Sequence, residues 1–287
     1  MEIDTLVCSG GGPSGIAYSG IFKALIEKGV INQDLDGIKE IITTSIGILF
    51  SFCLLLKLNH AVANDICMKF DIGSMLNFND ITIDDFLVDH GFFQTDGIKK
   101  IFISLLKNIL KVEDITLQEL YEVTQIKFTV KVFNVTKKQV EYISYETDPE
   151  LSIITLAQMT TAIAIFFKPV EYNENIYVDG GMRGSFPIEN CKSENYLGIF
   201  IRGGTFPKDS EVIKLFPIIN FIYSLMVNQD EIVHLIDDQK KININPKIIY
   251  NEVNLGLNFN VSTETKEKVI QKAYENTIKH IEEHQLC

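Results

Sequence analysis

An α/β fold built on parallel strands is what this 287-residue sequence predicts. Three observations predict it. A buried strand, "DTLVC", runs into a glycine-rich turn and then a helix. A second strand, "GIKEIITTS", runs into a second apolar helix that starts at Ile46. Two later strand-like runs, "NIYVDGG" and "NYLGIFIRGG", each end in a glycine turn. Strand–turn–helix units in series favour parallel neighbours, because a parallel pair needs a crossover long enough to hold a helix.

The elements follow in order. "IAYSGIFKALIEKG" places apolar residues at helical spacing and closes with Gly29 as its C-terminal cap. Residues 60–125 read as mostly helical, with loops near Asp71–Gly73 and Asp89–Gly91. "IKFTVKVFNV" and "QVEYISY", joined by "TKK", alternate as a β-hairpin does. "EVIKLFPIINFIYSLM" is an apolar helix candidate containing Pro217. "STETKEKVIQKAYENTIKHIEEH" is a charged amphipathic helix, with Ser262 or Thr263 as its cap and Glu264 in its first turn. There is no repeat, low-complexity tract or linker, so residues 1–287 are expected to form one domain.

Composition excludes several classes. Hydrophobic residues make up 46% of the chain, ample for a core, and the formal net charge is -12 with no dense Lys/Arg cluster. Nucleic acid is therefore not an expected partner, and strongly anionic membranes would not capture the chain by charge. The cysteines Cys8, Cys53, Cys67, Cys191 and Cys287 are odd in number with no C-x-x-C pair, as for reduced thiols in a cytoplasmic protein. "MEIDTLVCSGGG" lacks the basic flank and apolar stretch of a signal peptide. The apolar run "IGILFSFCLLLKL" falls short of the roughly 18 residues a spanning helix needs. The sequons at Asn134 and Asn260 are accidental if the chain is never secreted.

Three constellations carry chemistry. "GGGPSG", residues 10–15, spells G-x-G-x-x-G between a strand and a helix, as a dinucleotide site would. Such a site wants an acidic residue at the end of the second strand, yet Asp34 and Asp36 precede that strand and "TTS" ends it. The same glycines can instead expose successive N–H groups at a helix start and hold an oxyanion, or simply make a tight turn. "TTSIG" places Ser45 between strand and helix, where a nucleophile elbow or a helix cap belongs. Gly47 suits the elbow spelling, whereas Thr43 stands at its first glycine. "YVDGG" places Asp179 at a strand end, as a turn former or as a general base working on Ser45 with no histidine between. A free Asp, with a pKa of about 3.9, needs burial to serve as a base near neutrality. The histidines His60, His90, His234, His280 and His284 carry no motif; His280 and His284 read as surface residues, and a triad through His60, His90 or His234 is open on spacing alone.

The order strand–GGGxxG, strand–xxSxG–helix, strand–DGG resembles the patatin-like phospholipases. "FFKPVEYNENIYVDGGMRGSFPI" is similar to the family's F-x-P-V segment leading to its D-G-G/A turn, and "LNFNVSTETKEKVIQKAY" to its closing strand and helix. The resemblance implies a three-layer sandwich around a mostly parallel sheet and a Ser-Asp dyad. Ser45 becomes the nucleophile and Asp179 the base. Backbone N–H groups of Gly11 and Gly12, with that of Ile46, become oxyanion donors, and Gly10, Gly15, Gly47, Gly180 and Gly181 support the motifs. It implies hydrolysis of phospholipid or another fatty-acyl ester, no metal or organic cofactor, and peripheral contact with membranes. Phe50, Phe52, Leu54, the "FFKPV" region and "LFPIINFIYSLM" are candidates to line an acyl slot or to pack the core. Four positions depart from the family pattern: Thr43, Ser14 where Arg or Lys is common, Ala164 where proline is usual, and Ser185 where Asn is frequent. They motivate two alternatives, a catalytically weak lipid-binding or interaction protein on this fold and a small-ester carboxylesterase.

Overall fold

The computed structural model describes residues 2–69, 88–203, 245–253, 255 and 260–286. The expected helix over 211–226, the loop near 71–73, His234 and Cys287 lie outside the described residues.

The first expected unit is β1 (Thr5–Cys8), a 3₁₀ turn (Gly12–Ile16) and α1 (Ala17–Glu27). Gly29 follows α1 with a φ of +71°, which lets its N–H turn back to Ile26 O at 3.0 Å. The second unit is β2 (Glu40–Thr44) and α2 (Gly47–Leu55), the latter buried along its whole length. Then come α3 (His60–Lys69), β3 (Gly91–Phe93), α4 (Asp96–Ile109) and α5 (Leu117–Thr124). The hairpin is β4 (Lys127–Asn134) with β5 (Gln139–Ile143). Next are α6 (Ile153–Thr161), β6 (Ile165–Phe167), β7 (Val170–Tyr172) and β8 (Asn175–Asp179). The chain closes with β9 (Tyr196–Gly203), β10 (Ile248–Val253) and α7 (Thr263–His284). Ser262 caps α7 by accepting from Thr265 N at 3.3 Å.

The fold is mixed α/β, with a central, mostly parallel sheet flanked by helices. Eight strands lie in the order β10-β9-β1-β2-β4-β8-β7, with β5 on β4. The pairs from β10 to β4 are parallel, and those of β4 with β5, β4 with β8 and β7 with β8 are antiparallel. Short β3 and β6 pair separately. Neighbouring residues of the central strands face opposite layers: Leu6, Cys8 and Ile41 join the large core with the helices, while Val7 and Ile42 pack with Phe186 and Phe200 on the other face. Burial on both faces explains why these strands read as continuous apolar runs.

Strand β4 organises the functional end of the sheet. Its residues Val130–Asn134 pair with β5 along one edge. The residues that pair with β2, Lys127–Lys131, and with β8, Val132–Asn134, overlap that stretch. A strand has two edges, so β2 and β8 share the other one. They meet there head to head: Thr44 lies opposite Lys131 and Asp179 opposite Val132. The last residues of two strands far apart in the chain are thereby neighbours.

Candidate active site

Ser45 leaves β2 with a φ of +52° and is buried to 6% exposure. That left-handed conformation costs a residue with a Cβ roughly 1 kcal/mol. The surroundings hold it: Ser45 N donates to Thr160 Oγ1 at 2.8 Å, and Thr160 Oγ1 donates to Lys131 O at 2.8 Å. The helix-cap alternative fails, because α2 has no side-chain cap bond. Instead Ser45 Oγ donates to Asp179 Oδ2 at 2.6 Å.

Asp179 ends β8, its N–H bonded to Ala162 O at 2.9 Å and its Oδ1 accepting from Gly181 N at 2.7 Å. Burial pushes its carboxyl up to about 7, against the opposing pull of the Ser45 and Gly181 hydrogen bonds and the Lys131 charge. The desolvation expected at this aspartate is present, and it leaves the group poised between its two protonation states near neutral pH.

The glycine loop closes over the pair. A Cβ on Gly10 would lie 2.8 Å from Ser45 Cβ, so only glycine lets the loop come this near. Both polar groups of Gly10 are engaged: its N–H donates to Ser185 O at 2.7 Å and its carbonyl accepts from Ser9 Oγ at 2.9 Å. Gly12 takes a φ of +52° to enter the 3₁₀ turn. Ser14 N, bonded to Gly11 O at 3.1 Å, is the first amide bonded within the turn, so the N–H groups of Gly11 and Gly12 stand ahead of its bonding pattern. Ile46 follows Ser45 at the start of α2, whose positive dipole end faces the same corner. The other motif glycines mark close contacts: Gly15 on Ile46, Gly47 on Ser9 O, Gly180 on Lys131 O and Gly181 on Asp179 Oδ1.

Other candidates lie elsewhere. His60 Nε2 is 3.4 Å from Ser19 Oγ on α1, and His280 lies tilted against His284, ring centroids 4.5 Å apart, with its Nε2 at 3.0 Å from Pro246 O. The direct Ser45–Asp179 bond leaves no place for a histidine between the two. Asp34 approaches Lys57 at 3.8 Å and Asp36 bonds Asn32, both ahead of β2. Cys8, Cys53, Cys67 and Cys191 are free, and burial lifts the thiols of the first three to about 12. Among the described residues no cluster of His, Cys, Asp and Glu could hold a metal ion, and no helix is long and apolar enough to cross a membrane.

A profile described as patatin-like phospholipase matches residues 6–192, which takes in the glycine loop, the elbow and the D-G-G turn. The chain belongs to the patatin-like phospholipase family. It is similar to a protein named probable lipid hydrolase 463L, of invertebrate iridescent virus 6, at 30% identity over 189 residues. That match spans 64% of this chain and 62% of the viral protein. Among solved structures it is similar to VipD of Legionella pneumophila, with a TM-score of 0.62 at 19% identity over 99% of this chain and 67% of that one. It is also similar to ExoU of Pseudomonas aeruginosa, solved in complex with SpcU, with a TM-score of 0.51 at 14% identity over 99% of this chain and 53% of that one. These two likenesses concern the fold.

The departures of this patatin-like chain have structural consequences. Ser14 is buried and donates to Val253 O at 3.0 Å, which ties the glycine loop to β10. Ser185 supplies the carbonyl that holds Gly10 N. Thr43 is fully buried with its hydroxyl unpartnered among the described residues, close to where a Cβ on Gly47 would stand. Phe52 does not line a slot: its ring stacks on Phe102 in the core, centroids 4.8 Å apart. Phe166 and Phe167 of the "FFKPV" region are buried as well. Phe50 and Leu54 border a small, partly open hollow together with Phe22, Ile26 and Leu58. Sequence reasoning missed Thr160, Ala162 and Lys131. The one available signal was a lysine between Val130 and Val132, which a strand buried on both faces would have to bury.

Proposed function

We propose that the protein is a serine hydrolase of fatty-acyl esters, acting on phospholipids, with Ser45 as nucleophile and Asp179 as general base. The 2.6 Å hydrogen bond between Ser45 Oγ and Asp179 Oδ2, made from a strained strand-to-helix turn, is the observation that carries the reading. Family membership and the viral relative's name support hydrolysis of lipids.

Asp179 takes the Ser45 proton as Oγ attacks the acyl carbonyl carbon. The N–H groups of Gly11, Gly12 and Ile46 hold the oxygen as it gains negative charge. The carbonyl re-forms, the C–O bond to the lysophospholipid breaks, and Asp179 passes the proton to the departing oxygen. Water then attacks the acyl-serine, giving one proton to Asp179; the ester bond breaks, Ser45 recovers a proton and the fatty acid leaves. A base with a pKa of about 7 is matched to this task at neutral pH.

Hydrolysis of a defined phospholipid panel by wild type and Ser45→Ala, with products identified, tests the reading. Wild type should release fatty acid and lysophospholipid, and Ser45→Ala should not. A fluorophosphonate should label wild type but not Ser45→Ala. Asp179→Asn should lower turnover at least 10²-fold, the scale of general-base loss. Lipid binding without labelling would favour the catalytically weak alternative, and turnover of short soluble esters but not micellar phospholipid the carboxylesterase. Near-normal turnover by Asp179→Asn would refute the dyad.

A further inference from the structure

Lys131 lies mid-way along β4 with its side chain 1% exposed. A buried ammonium is costly unless its protons find acceptors. Its Nζ lies 2.8 Å from Arg183 O, 2.9 Å from Gly184 O and 2.6 Å from Glu189 Oε1. All three acceptors belong to the stretch that follows Asp179. The carbonyl of the same residue serves the other side: it accepts from Thr160 Oγ1, which receives Ser45 N, and from Thr44 Oγ1 at 3.3 Å. Thr44 lies opposite Lys131 in the sheet, and Asp179 lies opposite the next residue, Val132. One residue thus reaches the nucleophile through its backbone and the base's turn through its side chain.

We propose that Lys131 is a positioning residue for the proposed reaction: it fixes the approach of Ser45 to Asp179 and places one positive charge behind the carboxylate. This rests on the dyad reading above. Lys131 touches neither substrate nor reacting atoms. Its charge opposes the upward pull of burial on the Asp179 carboxyl, alongside the hydrogen bonds from Ser45 and Gly181. Other ionisable groups frame the same corner. Glu189, half exposed, pairs with Lys131 and accepts from the Tyr142 hydroxyl, and the Arg183 guanidinium lies over the Phe133 ring at 4.9 Å.

Lys131→Met keeps length and removes charge, and Glu189→Gln removes the compensating carboxylate. The measurement is the acid limb of kcat/KM for a soluble ester and of fluorophosphonate labelling. In Lys131→Met the limb should move up by about one pH unit, making the rate about tenfold lower on the acid side, with KM little changed. In Glu189→Gln it should move down, because the lysine charge is no longer offset. A purely structural lysine would alter melting temperature and leave both limbs in place. A folded Lys131→Met with an unmoved limb overturns the proposal. If that variant does not fold, an unmoved limb in Glu189→Gln does so. If wild type neither turns over nor labels, the dyad reading has failed by itself; carbon NMR titration of the Asp179 carboxyl in wild type and Glu189→Gln then decides whether the Lys131 charge acts on it.

Discussion

Asp179 shows how one carboxyl links stability to pH. Its folded pKa of about 7 stands above the usual 3.8, because burial disfavours the charged form. Below about pH 4 both folded and unfolded states hold this proton, and the site carries no penalty. As pH rises to about 7 the unfolded chain releases the proton first, so stability falls; above 7 the loss is complete. A difference of about three units sets a ceiling of about 4 kcal/mol. Asp179→Asn keeps the shape without the charge. It should be more stable than wild type at alkaline pH, with the gap closing toward pH 4. Urea titrations across that range measure it, and a gap that does not depend on pH would contradict the assigned cause. Activity has the opposite slope, since the base must be ionised: turnover should fall on the acid side of about pH 7.

At the scale of elements, the site depends on how closely turns and strands approach. A Cβ on Gly180 would lie 2.4 Å from Lys131 O, a backbone atom that moves only if β4 and β8 separate. Gly180→Ala should cost about 1–3 kcal/mol, as overpacking does, and lower kcat by parting Asp179 from Ser45. Gly15 is also crowded, but its nearest obstacles are Ile46 Cγ2 at 2.7 Å and the Phe50 ring, which are side chains. Gly15→Ala should therefore cost less. Thermal melts and kcat for the two variants check the ranking, and equal losses would mean that strand separation is not the controlling strain. The strand–turn–helix units were legible because each apolar strand runs into a turn of small residues, glycines after β1 and Thr44-Ser45 after β2, followed by an apolar helix. Short β6 and β7 were not, having three residues each and no alternation long enough to register. Nor does "IIYNEV" mark β10 by itself; it is a strand because β9 offers it a parallel edge.

For the whole molecule, we propose that residues 1–287 fold as one domain, as the absence of any linker in the sequence implies. The packing of β1, β9 and β10 in one sheet, with α1 and α7 in one core, supports this. A calorimetric scan should give a single transition with equal calorimetric and van't Hoff enthalpies; two separable transitions would contradict it.

The sequence by itself determined the α/β class, the family, the two strand ends and the residue types standing at them, because apolar periodicity and turn chemistry act over a few residues and leave local marks. Only the tertiary structure decided that Ser45 meets Asp179, that both polar groups of Gly10 are engaged, and that Lys131 bonds to both sides. Those facts depend on β2 and β8 sharing one edge of β4. That edge is shared through backbone hydrogen bonds of β4, which set Thr44 beside Lys131, 87 residues away in the chain, and so bring together a serine and an aspartate separated by 134 residues; such bonds leave no pattern in the order of side chains.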